Sequence, residues 1–308
     1  MAHRCELGEQ LASKQFRKAA RALRAPLKAA ADHDMDGIHD FRVASRRFRE
    51  VISAYRHFLP NRLQEDFRAY LRQVTQRLGK ARELDVTLHC LDHYEKDCKG
   101  VRRRTFEYIR KRLLELRASE SRNVDAAVEM VVSPEFGERL AVTLGEIQSK
   151  KHCVRDGHVQ GLQSRLHTLR VQYLVWEASR SDEALHQTRV AFKKLRYRCE
   201  IASSMYSRRM KRQIEEFKAA QDALGQWNDL RVLRGYVHLF SPAAPLQAAV
   251  GIPALQALLE RDTAVLLERF HVEAGPILEQ SHVERIAAFF ASPAIACCAN
   301  DRVEQHVA

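Results

Sequence analysis

The sequence predicts an all-α protein built as a tandem duplication of an antiparallel helical bundle. Three observations carry this. Only 12 Gly and 8 Pro punctuate 308 residues, about half the usual share, which starves strands and tight turns of their signals. No segment alternates apolar and polar with period two. Two separate motifs each recur at nearly one offset, 147 and 146 residues, which is the mark of an internal repeat. The halves are expected to be residues 1–155 and 156–308, with 272–308 a tail matched to neither motif.

Taken in order, Leu7 to Ala31 has helical spacing with Lys14, Arg17, Lys18, Arg21 and Arg24 on its polar side. The Asp-rich turn from Asp32 to Gly37 follows, and Asp36 is the expected cap of a second helix to about Phe58, stopped by Pro60-Asn61. A third helix runs to Gly79. Glu83 to Glu95 and Val101 to Val132 continue the pattern, and Ser133-Pro134 is expected to start another helix to about Lys150. Lys151 to Gly161 reads as a polar linker. Helices are then expected at Leu162 to Ala178, Asp182 to Met205, Lys211 to Leu224, Trp227 to Phe240 and Ile252 to Phe270.

Lys and Arg number 51 against 39 Asp and Glu, a net charge of +12. That balance points to an anionic partner: nucleic acid, an acidic lipid surface or a polyphosphate. Seven unevenly spaced Cys predict a reducing cytoplasm. The longest apolar stretch, Ile286 to Ala299, is broken by Ser292 and Pro293 and falls short of the roughly 20 residues a membrane span needs.

The first repeated motif carries the chemistry. His39-Asp-Phe-Arg42-Val-Ala-Ser-Arg46-Arg47-Phe-Arg49 recurs as His186-Gln-Thr-Arg189-Val-Ala-Phe-Lys193-Lys194-Leu-Arg196. On a helix, His39, Arg42, Arg46 and Arg49 share a sector of about 80°. Phe41, Ala44, Phe48, Val51 and Ile52 form the opposite face, and in the second copy Ala191, Leu195 and Cys199 lie opposite the stripe, with Tyr197 flanking it. Neither stripe contains an acid. Solvated helix faces gain by mixing signs at i,i+4, whereas like charges there lose. Two guanidinium groups roughly 6 Å apart repel by on the order of 3 kcal/mol at an effective dielectric of about 20. A bound anion would relieve that cost, and a His in the same phase of both stripes can gain charge as it binds one. The anion-binding candidates are therefore His39, Arg42, Arg46, Arg49, His186, Arg189, Lys193 and Arg196. Arg47 and Lys194 lie toward the rim, and Arg72 and Lys218 match at an offset of 146.

At these residues the chain resembles the CHAD family, the conserved-histidine α-helical domain, whose pattern is His-x-x-Arg followed by basic residues three to four apart. Leu78-Gly79 to Val86 and Leu224-Gly225 to Val232, the second repeated motif, are similar to the family's Leu-Gly segments, and Ser133-Pro134-Glu135-Phe136 also resembles it. Glu83 departs from the family's usual Asp. Arg82 is similar to the Arg of those segments, with a bridge to Asp85 or Glu83 as its structural alternative. The resemblance implies two four-helix bundles related by a pseudo-two-fold, a central basic groove, inorganic polyphosphate as ligand without catalysis, and association with polyphosphate granules. The Glu-x-Glu-x-Lys strand of a triphosphate-tunnel domain is absent from the sequence, so a stand-alone CHAD protein is expected.

Two other functions compete. A phosphohydrolase is suggested by His39-Asp40 with Asp34 and Asp36 nearby, but cationic neighbours would repel a metal. His89-x3-His93 with Cys90 or Asp92 lacks a third zinc ligand at a known spacing, so no metal or cofactor is expected. Nucleic acid is the other alternative. A basic groove tracks any phosphate backbone, but single-strand binders usually add aromatic stacking platforms, and the aromatics here mostly sit opposite the stripes, with Tyr197 the main exception.

Overall fold

The computed structural model describes residues 2–97, 101, 103–147 and 154–292. Among them are thirteen α-helices, two short 3-10 turns and no strand. The first expected helix is two, α1 (Ala2–Arg24) and α2 (Leu27–Ala31), because Pro26 lacks the N–H that a continuous helix needs. The cap of α3 (Met35–Ala54) is Asp34 rather than Asp36: its Oδ2 accepts the Gly37 N–H at 2.7 Å. Gly37 is required there, since a Cβ would lie 2.6 Å from the Ala29 carbonyl carbon. A 3-10 turn at Arg56–Phe58 and then Pro60 reverse the chain into α4 (Asn61–Arg77), and α5 (Gly79–Asp97) follows.

The helix expected over 101–132 breaks at Glu120 into α6 (Arg103–Ser119) and α7 (Ser121–Val132). The break lets the two segments serve different cores. Ser133 precedes α8 (Pro134–Gly145) with no side-chain cap; its hydroxyl donates to the Met130 carbonyl. The expected linker is a further correction. Its first three residues lie outside the described ones, and the rest begin α9 (Val154–Ser179), where His158 is buried and Gly161 leaves room for the Arg198 guanidinium. The boundary expected between residues 155 and 156 therefore falls in the first turn of α9.

The three helices expected between Asp182 and Phe240 form one helical span, α10 (Asp182–Phe240). It reverses direction within itself. The Phe192 and Phe217 rings lie 6.1 Å apart and Gln221 donates to the Phe192 carbonyl at 3.0 Å, whereas 25 residues of straight helix would separate those rings by roughly 37 Å. Then come α11 (Leu246–Ala249), α12 (Ile252–Leu278) and α13 (Gln280–Ala291). The described part of the tail is structural: Ala274, Leu278, Val283, Ile286 and Phe290 are buried, and Tyr206 donates to the Phe290 carbonyl at 2.5 Å. Residues 293–308 lie outside the described ones.

Three cores hold these helices. The first packs α1, α3, α4, α7 and α8 around Phe48, whose ring meets Phe16, Phe67 and Phe136 edge-on; truncating it should cost about 3–5 kcal/mol. The second packs α9, both limbs of α10 from Ala184 to Trp227, α12 and α13. The third joins α5 and α6 to the end of α10, α11 and α12 through Leu84, Leu91, Phe106, Leu233 and Leu259. Thr105 donates to the Ala248 carbonyl and Tyr108 to that of Phe240 across it. The faces opposite the two stripes, Phe41 to Ile52 and Ala191 to Cys199, are buried as expected. With those faces fixed in separate cores, the stripes are turned toward each other.

Candidate anion-binding cleft

A cleft of about 380 Å³ lies between α3, the start of α5 and both limbs of α10. From α3 it receives His39, Arg42 and Arg46, and from α5 Arg82 and Glu83. The first limb of α10 supplies His186, Arg189 and Lys193, and the second Asn228, Asp229 and Arg231. Arg196 lines an adjoining cleft with Gln221.

Arg42, Arg46 and Arg196 are each positioned by an identifiable contact. Arg42 Nη1 donates to the Thr75 carbonyl at 2.8 Å, and Thr75 is pinned by Ser45 Oγ at 2.8 Å. Arg196 Nη1 donates to Gln221 Oε1 at 3.1 Å, and its Nε is 3.4 Å from Glu200. Tyr197 is buried beneath two guanidinium groups, with Arg46 5.6 Å and Arg196 5.4 Å from its ring centre. It is a platform joining the stripes rather than part of the open surface.

The electrostatics record the crowding. Burial, then Arg46 and Arg49, push Arg42 down to about 10. Burial, then Arg189 and Arg46, push Lys193 down to about 7. Arg49 and Arg189 are also lowered, by burial first. His39 is lowered by burial and Arg82, and His186 by burial, Arg189 and Arg231. Arg49 Nε, Arg189 Nε, Arg231 Nε and His186 Nδ1 are buried without a hydrogen-bond partner. The three guanidinium Nε–H groups are donors that cost free energy until something accepts from them, and the imidazole nitrogen joins them when it carries a proton. Asp229, its own pKa raised by burial, faces Arg189 and Lys193 and partly offsets them.

The secondary candidates divide. Arg82 lines the cleft, and its alternative bridges are taken: Asp85 pairs with Arg117 at 2.6 Å, and Glu83 with Lys80 and the Tyr236 hydroxyl, each at 2.8 Å. Arg49, expected as a binding residue from its place in the first stripe, lines neither this cleft nor the adjoining one; Arg72 is close enough to depress it, but is exposed and lines neither cleft. Arg47, expected at the rim, pairs with Glu200 at 3.1 Å. Lys194 is exposed and lines neither cleft, and Lys218 sits 3.8 Å from Glu215. Among the described residues no three His, Cys, Asp or Glu side chains converge as a metal site, and Asp92 of the candidate zinc pair is bound to Arg110 at 2.6 Å.

Sequence reasoning missed Asn228, Asp229 and Arg231 as cleft residues. They stand inside the second Leu-Gly segment, but the repeat comparison hid Arg231: its equivalent 146 residues earlier is Asp85, which turns away to Arg117.

Comparison with known proteins bears on what such a cleft belongs to. A family profile, the CHAD domain, matches residues 10–238. The chain belongs to the CHAD domain family. Its fold agrees. The crystal structure of the CHAD domain from the plant Ricinus communis is similar to this CHAD protein with a TM-score of 0.61 at 17% identity, over 92% of this chain and 91% of that one. PptA from Streptomyces chartreusis is similar with a TM-score of 0.64 at 15% identity, over 87% of this chain and 99% of that one. No curated protein matches the chain. No described helix of this CHAD protein is long and apolar enough to cross a membrane. Helices α12 and α13 lie beyond the residues that the family profile matches.

Proposed function

We propose that this CHAD protein binds inorganic polyphosphate in the cleft and does not cleave it. What supports this most directly is the convergence of Arg42, Arg46, Arg82, Arg189, Lys193 and Arg231 on one narrow space that holds two carboxylates. One of these, Glu83, is already committed to Lys80 and Tyr236. A chain of phosphates carries charge at every repeat and acceptors in every direction, which matches donors arriving from opposite walls. The arginines offer forked, charge-assisted hydrogen bonds, and Lys193 a compact point charge. The family resemblance implies the same ligand. The non-catalytic reading is supported by the lack of converging metal ligands among the described residues and of a nucleophile with an adjacent base in the sequence. Nucleic acid is the weaker reading, because the one aromatic at the stripes, Tyr197, is buried under its arginines and offers no face to a base.

The test is binding of labelled long-chain polyphosphate at about 150 mM salt to the wild type and to the Arg46→Glu/Lys193→Glu double variant, with total RNA as competitor. The reading expects tight binding that RNA does not displace and that the variant loses. Displacement by RNA at equal phosphate concentration would move the assignment to nucleic acid, and orthophosphate release with Mg²⁺ or Mn²⁺ would restore the phosphohydrolase.

A further inference from the structure

We infer that the polyphosphate path does not end at Lys193 but continues into a second anion subsite completed by Arg269 on α12. This rests on the polyphosphate reading of the first cleft. The second cleft, about 420 Å³, shares Arg189, Lys193, Gly225 and Asp229 with the first and adds Arg196, Gln221, Asp222 and Arg269. The two are therefore continuous along one wall of α10. Arg269 belongs to neither repeated motif and lies outside the residues matched by the family profile. Its neighbour Phe270 is locked in the second core against Trp176 and Phe192, which fixes this turn of α12 beside the first limb of α10. Among the described residues Arg269 has no carboxylate partner, whereas Arg196 is shared with Glu200 and Gln221.

A second cavity also adjoins the first cleft, through Val86 and Asp229, and its chemistry decides the direction. That cavity, about 850 Å³, has Leu230, Leu258 and Leu266 on its walls. Its cation Arg261 is held 2.8 Å from Asp262, which also accepts from the Tyr94 hydroxyl at 2.6 Å. A polyanion entering it would lose solvent against apolar walls and meet a guanidinium already neutralised. Toward Arg269 it meets Arg189, Lys193 and Arg196 in sequence, against the carboxylates of Asp229 and the exposed Asp222. A short chain fills the first cleft only. A long one spans both.

The experiment compares long-chain polyphosphate with tripolyphosphate on the intact protein, at several salt concentrations, for wild type, Arg269→Ala and Arg261→Ala. Both substitutions remove one exposed arginine from α12, and melting temperatures establish that each variant is folded. Arg269→Ala is expected to weaken long-chain binding about five- to tenfold and to lower the salt slope by about one. It should leave tripolyphosphate binding unchanged, and Arg261→Ala should change neither. Equal long-chain affinity in Arg269→Ala and wild type overturns the subsite while leaving the first cleft standing, and so does an equal loss for both ligands or an equal effect of Arg261→Ala. A wild type that binds neither ligand overturns the polyphosphate reading itself.

Discussion

Arg46 and Lys193 stand 147 residues apart at matching positions of the two basic stripes, yet their surroundings treat them differently. In the first stripe every cation but His39 is an arginine. Arg42, even when pushed down to about 10, keeps its charge at neutral pH, and the Thr75 carbonyl holds it in place. In the second stripe the matching position is a lysine pushed down to about 7, with Asp229 facing it. Crowding of like charge is thus met in two ways. The first stripe anchors fixed charges against a carbonyl and an aromatic ring, and the second includes one group that can shed its proton and faces one acid that offsets the rest. On the proposed polyphosphate reading, the first stripe is a constitutive anion site and the second an adjustable one.

Removing the acid should produce the largest single-residue effect on that asymmetry. Asp229→Asn is expected to tighten polyphosphate binding on the order of tenfold, the effect of one charge at roughly 10 Å with an effective dielectric of about 20. The same substitution should lower the melting temperature of the ligand-free protein, because Arg189 and Lys193 lose their offset. Opposite signs in the two measurements, by calorimetric titration and thermal melting, are the signature of a resident counterion. Weaker binding would mean that Asp229 orients the cations, and the two stripes would then differ in geometry rather than charge.

Next in size is the proton. Lys193 titrates at about 7 in the folded protein against an ordinary 10.5, so between those values the unfolded chain holds the extra proton. Stability of the ligand-free protein should therefore rise with pH from about 7 to about 10.5 through this group, with its full penalty present below about 7. An anion favours the ammonium form, so binding takes up a proton and affinity should fall about fivefold between pH 7 and 8. Lys193→Arg makes the second stripe resemble the first, and should flatten the affinity profile above pH 7 while retaining binding. His39 and His186, both held below 6.5, add their tightening only on the acidic side. A profile between pH 7 and 8 that stays equally steep in Lys193→Arg would assign the proton elsewhere.

Much of this was legible in the sequence because it is local. The helical phase of His39, Arg42, Arg46 and Arg49 against Phe41, Phe48 and Ile52 fixed which face of α3 is buried, and the second copy repeated it. What was not legible depends on partners distant in the chain. Leu84 and Leu91 read as an ordinary apolar stripe, and nothing near them specifies that Leu233 and Leu259 complete the third core. The reversal within α10 carries no proline like Pro60, so no residue of the span marks where it turns. Cleft membership of Arg231 was hidden by Asp85 at the matching position. The polarity of Lys151 to Gly161 predicts an exposed linker, whereas His158 is buried against Tyr55, their ring centres 5.2 Å apart.

The smallest expected effect concerns the platform between the stripes. Tyr197 comes from the second stripe, yet it carries the Arg46 guanidinium of the first as well as its own neighbour Arg196. Each cation–π contact is worth about 0.5–1 kcal/mol at a partly exposed site. The ring holds both guanidinium groups in place before the ligand arrives, so losing it in Tyr197→Leu should weaken polyphosphate binding by roughly threefold, a fraction of the two contacts' worth. Tyr197→Phe keeps the ring and should bind like the wild type. Because the ring sits under one arginine from each half, the loss in Tyr197→Leu should shrink when Arg46 is already alanine, and shrink again when Arg196 is too. A loss of the same size in every background would mean that Tyr197 supports the helix packing rather than the charges. The two stripes would then be independent surfaces sharing a cleft, with no direct coupling through this ring.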